Sequence, residues 1–156
     1  MKGKSSRFSE VEMNELVLPN DTNLLGNLLG GRLMHLIDIA GGMTASRHAN
    51  SIVVTASVDS LDFRHPVSLG EIVRLKARLT WVGKTSMEVK VQVYAENVET
   101  EEIRLTNQAY LVYVALDRSG HPKEIPPLIL ETDEEKREFR EGEERRKNRL
   151  ARKGKE

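Results

Sequence analysis

The chain has 156 residues, 38% hydrophobic and 31% charged, with 24 Lys+Arg against 24 Asp+Glu and no cysteine. That length suits one domain with a single core, and the balanced charge argues against binding nucleic acid by neutralising phosphates. Without cysteine there is no disulfide scaffold, thiolate metal site or thiol nucleophile, and the polar N-terminus and lack of a long apolar run fit a cytoplasmic protein, not one held at a membrane.

The first expected element is a short strand over residues 11–18. Residues 19–31 follow as Pro-Asn-Asp-Thr-Asn-Leu-Leu-Gly-Asn-Leu-Leu-Gly-Gly, whose polar part is turn chemistry and whose Gly30-Gly31 pair opens a helix. Glycines there let a ligand approach the free N–H groups of a first helical turn, the arrangement an oxyanion hole needs, although such a pair alone is more often only a tight chain entry.

The helix is expected over residues 31–48. Leu33, Met34, Leu36, Ile37, Ile39, Ala40, Met43 and Ala45 place apolar groups nearly all round it, the pattern of a buried helix, and Asn50-Ser51 stops it. Asp38 sits among these apolar neighbours. A carboxylate buried there is costly unless paired, and burial favours its neutral form, the tuning that suits a general base. A structural hydrogen bond or an interface ion pair accounts for it equally well. Gly41-Gly42 in mid-helix costs about 1 kcal/mol per residue relative to alanine, so a neighbour should pass close by: the sheet, or the same helix of a second subunit.

Four long strands follow. Residues 52–63 form the first, ending at His65-Pro66. Val73, Leu75, Ala77, Leu79 and Trp81 then alternate with polar partners, as do Met87, Val89, Val91, Val93 and Ala95, and Ile103–Leu116 completes the set. Period two over such lengths marks half-buried antiparallel strands. Val82-Gly83-Lys84-Thr85 has hairpin size, and because it opens a strand, not a helix, its likeness to the end of a phosphate-binding loop is superficial. The predicted order is strand, buried helix, then four antiparallel strands: an α+β fold in which one curved sheet of about five strands wraps one central helix.

From residue 131 to 156, 19 of 26 residues are charged, acids first and bases after, as the helix dipole favours, and Thr132 with Glu135 has capping-box spacing. A solvated C-terminal helix, fraying toward its end, is expected, separate from a domain over residues 1–130. A partner-binding role for it is the alternative to a solubilising or edge-covering one.

No serine-elbow, dinucleotide or triphosphate motif occurs, and His35, His48, His65 and His121 lack metal-ligand spacing, so no metal is expected.

Taken together, Pro19-Asn20-Asp21-Thr22-Asn23 leading to Gly30-Gly31, Leu36-Ile37-Asp38-Ile39-Ala40-Gly41, Asp62-Phe63-Arg64-His65-Pro66, Gly83-Lys84-Thr85-Ser86, Leu105-Thr106-Asn107 and Ile125-Pro126-Pro127 make the chain resemble the hotdog-fold acyl-CoA thioesterases. The resemblance is to the cytosolic brain acyl-CoA hydrolase and bacterial broad-range type. It implies hydrolysis of fatty acyl-CoA to free acid and CoA, with coenzyme A as part of the substrate and no separate cofactor. Asp38 matches the catalytic carboxylate, as general base or nucleophile. Asn23 matches its amide partner, contributed by the adjacent subunit of a homodimer that assembles further into a hexamer, a trimer of dimers. Backbone N–H groups near Gly30, Gly31 and Arg32 would hold the oxyanion. The CoA would lie along Gly83, Lys84, Thr85 and Ser86 with Arg64 near its phosphates, and the acyl chain would run beside Leu33, Ile37, Leu61 and Phe63. A hotdog hydratase, with His35 one turn before Asp38, and a non-catalytic acyl-CoA-binding regulator are the alternatives.

Overall fold

The computed structural model describes residues 1–59, 61 and 65–154. A short strand β1 (Lys4–Ser5) precedes β2 (Val11–Leu16), the helix α1 (Gly30–Ala49), the strands β3 (Ile52–Asp59), β4 (Ile72–Val82), β5 (Ser86–Glu96) and β6 (Ile103–Leu116), the short β7 (Leu128–Ile129) and the helix α2 (Asp133–Lys153). Five strands form one antiparallel sheet in the order β2-β4-β5-β6-β3, and β1 pairs with β7 in parallel beside it. This is the expected α+β hotdog arrangement, with the sheet curled around α1.

The alternation predicted for the strands is what builds the core. Val73, Leu75, Ala77 and Leu79 of β4, Met87, Val89, Val91, Val93 and Ala95 of β5, and Ala109, Leu111, Tyr113 and Ala115 of β6 are all buried. They meet Leu33, Leu36, Ile37, Ala40 and Ala45 from one side of α1. Burying such side chains contributes roughly 1.5–3 kcal/mol each, so this face fixes where the helix lies.

The strand boundaries differ in two places from those read in the sequence. β2 stops at Leu16, and β3 covers Ile52–Asp59 with residue 61 no longer in it, while residues 60, 62 and 63 of the expected strand lie outside the described residues. The sheet also explains the glycine in mid-helix: a Cβ at Gly41 would lie 2.5 Å from the Tyr113 hydroxyl, so only glycine lets that ring cross α1. The close neighbour is the chain's own sheet.

The helix α1 is buried on one side only. Met34, Ile39 and Met43 are 41%, 38% and 37% exposed, on a face that no element among the described residues covers. This corrects the reading of a helix buried all round. The sheet wraps one side of α1, and the apolar residues of the other side remain at the surface.

The C-terminal helix forms as its cap predicts, with the Thr132 hydroxyl accepting from the Glu135 N–H at 3.0 Å. It is not simply a solvated appendage. Glu138 and Gly142 are buried against the outer face of the sheet, and a Cβ at Gly142 would meet Trp81 Cβ at 2.8 Å and Glu88 Oε1 at 2.9 Å. Among the described residues, no helix is long and apolar enough to cross a membrane.

Candidate active site

The N-terminus of α1 carries the first part of the site. Leu29 is the N-cap and offers no side-chain cap, and Leu33 N–H is the first to bond back, to Leu29 O at 3.0 Å. The N–H groups before it therefore have no intrahelical acceptor. Nothing would lie within 4 Å of a Cβ at Gly31, so that glycine leaves the helix start open, not crowded.

Two turns on, Asp38 is exposed, contrary to the burial expected from its apolar neighbours in sequence. Those neighbours point either into the core or onto the uncovered face, and Asp38 stands at the boundary between the two. Its carboxylate is nevertheless held. Thr55 Oγ1 donates to Asp38 Oδ1 at 2.7 Å, and the Tyr113 hydroxyl donates to the same oxygen at 3.0 Å. The phenol also lies 3.0 Å from the Asp38 carbonyl oxygen. Burial, and then the nearby Asp38 carboxylate, pushes the Tyr113 phenol far above its ordinary pKa, so it remains a donor at any working pH. With both hydroxyls on Oδ1, Oδ2 is the carboxylate oxygen left for a substrate or a water.

Asp38 borders a cavity of about 260 Å³ whose lining also includes Gly31, His35, Ile37, Thr55, Val58 and Leu61. The lining is mainly apolar, with His35, Asp38 and Thr55 as its polar side chains. A carboxylate with a fixed orientation beside an apolar recess can activate water against an acyl group whose chain lies in the recess.

Asn23 lies elsewhere in the same chain. Its Oδ1 accepts from the N–H of Leu25 at 2.9 Å and of Asn27 at 3.1 Å, closing the turn before α1. It borders a second cavity of about 470 Å³, shared with Asn27, Gly30, Leu33, His65 and Asn107. Gly31 and Asp38 line one cavity two helical turns apart, and Asn23 does not reach it. Of the expected acyl contacts, Ile37 and Leu61 line the Asp38 cavity, Leu33 lines the second one, and Phe63 falls outside the described residues.

Gly83, Lys84 and Thr85 join β4 to β5, and Ser86 begins β5. The loop is pinned by Gly83 N–H to Ser86 O at 2.8 Å, Ala115 N–H to Thr85 O at 2.9 Å and Ile125 N–H to Lys84 O at 3.0 Å, leaving the Lys84 side chain exposed. Ser86 pairs with Val114, which on its other side pairs with Val54, the neighbour of Thr55. These residues line neither cavity. Arg64 falls outside the described residues.

Thr55 and Tyr113 are the residues that sequence reading missed. Thr55 gave no signal of its own, being one polar position on an edge strand. Tyr113 could have been suspected from the costly glycine pair, which required a bulky neighbour.

A family profile described as the thioesterase superfamily matches residues 25–102. The uncharacterised acyl-CoA thioester hydrolase YkhA of Bacillus subtilis is 41% identical over 138 residues, covering 86% of this chain and 80% of that one. This chain belongs to the thioesterase superfamily. The cytosolic acyl coenzyme A thioester hydrolase of Mus musculus is 35% identical over 140 residues, but the chain spans only 37% of that longer protein. Among solved structures, an apo hexameric acyl-CoA thioesterase superposes with a TM-score of 0.93 at 41% identity, over 97% of each chain. The acyl-CoA hydrolase of Staphylococcus aureus, solved with butyryl coenzyme A and coenzyme A, superposes with a TM-score of 0.89 at 39% identity, over 97% of this chain and 93% of that one. Variants of that enzyme with alanine in place of an aspartate, a threonine or an asparagine have also been solved.

Proposed function

We propose that this superfamily member hydrolyses fatty acyl-CoA to the free acid and CoA, with Asp38 as the general base. The observation that carries this reading is the Asp38 carboxylate, oriented by Thr55 and Tyr113 on the wall of a mainly apolar cavity. Relatives named acyl-CoA thioester hydrolases, at 35–41% identity, support the substrate class.

Oδ2 of Asp38 takes a proton from water, and the water oxygen attacks the thioester carbonyl. The tetrahedral oxyanion accepts from N–H groups at the start of α1 in a second copy of the chain, near Gly30, Gly31 and Arg32, where Gly31 leaves room for it. Collapse expels the CoA thiolate, which takes the proton from Asp38, leaving carboxylate, free acid and thiol. No separate cofactor enters these steps.

In this reading Asn23 acts from a second copy of the chain. Its loop and the exposed Met34, Ile39 and Met43 face of α1 are what an adjacent protomer would meet, and a hexameric structural relative supports assembly of this kind. The Asn23 acceptor is committed to its own turn, so its Nδ2 is the group that positions the substrate carbonyl or the water. The CoA phosphates lie near Lys84, with the pantetheine along Thr85 and Ser86. Two copies give two equivalent sites, and three such dimers give the hexamer.

Thiol release measured across short, medium and long acyl-CoAs tests the reading. Stoichiometric release of CoA with free acid is expected. Conversion of an enoyl-CoA to a hydroxyacyl-CoA without thiol release would instead assign a hydratase, in which His35, on the wall of the Asp38 cavity, takes part.

A further inference from the structure

The outer face of the sheet carries a row of four paired residues from four strands: Arg78 of β4 opposite Lys90 of β5, Lys90 opposite Tyr110 of β6, and Tyr110 opposite Asp59 of β3. The helix α2 holds every member of that row. Glu138 pairs with both Arg78 and Lys90. The Arg145 guanidinium sits 3.7 Å over the Tyr110 ring while bonding both oxygens of the buried Glu88, at 2.9 and 2.8 Å. One turn later, Arg149 Nη1 meets Asp59 Oδ2 at 2.9 Å, with both side chains largely buried.

The inner face lies one residue away. Val58 pairs with Leu111, next to the Asp59–Tyr110 pair in the same ladder, and side chains alternate between faces. Val58 and Leu111 both line the Asp38 cavity. β3 is an edge strand of the chain, and its register shifts between Thr55 and Ser57, with Ser57–Val112, Val58–Leu111 and Asp59–Tyr110 pairing beyond the bulge among the described residues. The ion pair of Arg149 with Asp59 grips the last described pair of that ladder from the outer face.

We propose that Arg149 is a positioning residue for the acyl cavity: by holding Asp59 on the outer face, it fixes the Val58–Leu111 wall on the inner face and so sets which acyl chains the cavity accepts. The part concerning acyl chains rests on the thioesterase reading above. Arg149 lines neither the Asp38 cavity nor the Asn23 cavity, and its effect passes through one strand. The helix α2 is then the backing of the substrate pocket. The fit of an apolar chain against a fixed wall discriminates length by packing alone, and a wall free to shift discriminates less.

Arg149→Gln, and Asp59→Asn as the same loss made from the strand side, test this in the full chain. The first readout needs no substrate: amide hydrogen exchange over Thr55–Asp59 is expected to speed up about tenfold in either variant, with β5 unchanged and Arg149→Lys restoring most of the protection. The second is the ratio of kcat/KM for palmitoyl-CoA to that for butyryl-CoA. It is expected to move toward unity by about threefold or more in Arg149→Gln, because the wall no longer selects length. Wild-type exchange rates across β3 in both variants would overturn the proposal. So would an active enzyme that loses rate equally on both substrates, since that reports only general destabilisation. Absence of thiol release by the wild-type chain would refute the thioesterase reading instead, and the exchange measurement would still decide whether Arg149 positions β3.

Discussion

The Tyr113 hydroxyl lies 3.0 Å from both the Oδ1 and the main-chain oxygen of Asp38, across a gap that exists only because residue 41 is glycine. Sheet and helix are thereby joined at the residue assigned the chemistry. Thr55 adds a second hydroxyl on the same carboxylate oxygen. Neither hydroxyl is the base; each fixes which carboxylate oxygen is presented to the cavity.

Removing either hydroxyl should therefore cost rate more than fold. Tyr113→Phe and Thr55→Val are each expected to lower kcat about tenfold, the worth of a hydrogen bond to a charged group, with KM little changed. Tyr113→Phe should also lower stability by about 1 kcal/mol, because its hydroxyl is buried, whereas Thr55 is exposed and should not. Steady-state kinetics beside thermal melts check both statements. Wild-type kcat in both variants would show that the carboxylate needs no orientation.

At the hairpin between β4 and β5, Lys84 has its main chain bonded and its side chain free. If it serves only the CoA phosphates, Lys84→Ala should raise KM severalfold, leave kcat within about twofold and weaken the salt dependence of KM. A fall in kcat with unchanged KM would place Lys84 nearer the reacting atoms.

A pH effect on stability comes from a different corner. His48 is fully buried, with Nε2 2.7 Å from the Pro126 carbonyl and Nδ1 without a hydrogen-bond partner among the described residues. Burial first, and the Lys4 charge as well, holds its pKa below the ordinary 6.5 despite the Pro126 contact. The unfolded chain therefore takes up this proton before the folded one does. The stability contributed by the neutral ring is present above about pH 6.5 and is lost as pH falls below it, until the folded ring also protonates. Tm should fall from pH 6.5 toward pH 5, and His48→Gln should flatten that slope. A wild-type slope in the variant would assign the effect to other groups.

Much of this was legible in the sequence because it is local. The period-two runs gave β4, β5 and β6 nearly to the residue, and Thr132 with Glu135 gave the start of α2. What was not legible depends on pairs far apart in the chain. Thr55 is 17 residues from Asp38 and Tyr113 is 75, and neither partner announces the other. Asp38 was expected to be buried because its sequence neighbours are apolar, yet the sheet covers only one side of α1. The charged tail reads as solvated by composition. Its inward stripe of Glu138, Arg145 and Arg149 binds the sheet through ion pairs, which hydrophobic patterning cannot reveal.

Asp38→Asn keeps the shape of the side chain and removes the base, so turnover should drop by about 100-fold or more without loss of fold. Asn23→Ala should be similarly impaired, and Asn23→Asp, which keeps the turn's acceptor but loses the amide donor, should share that loss at near wild-type stability.

Those two defects also allow the most direct measurement. If Asp38 of one copy works with Asn23 of another, co-assembled Asp38→Asn and Asn23→Ala chains contain mixed dimers in which one site is intact and the other doubly defective. With half of the dimers mixed and half of their sites restored, thiol release should recover to roughly one quarter of wild type. Activity no greater than the sum of the two separate variants would contradict a site shared between two copies.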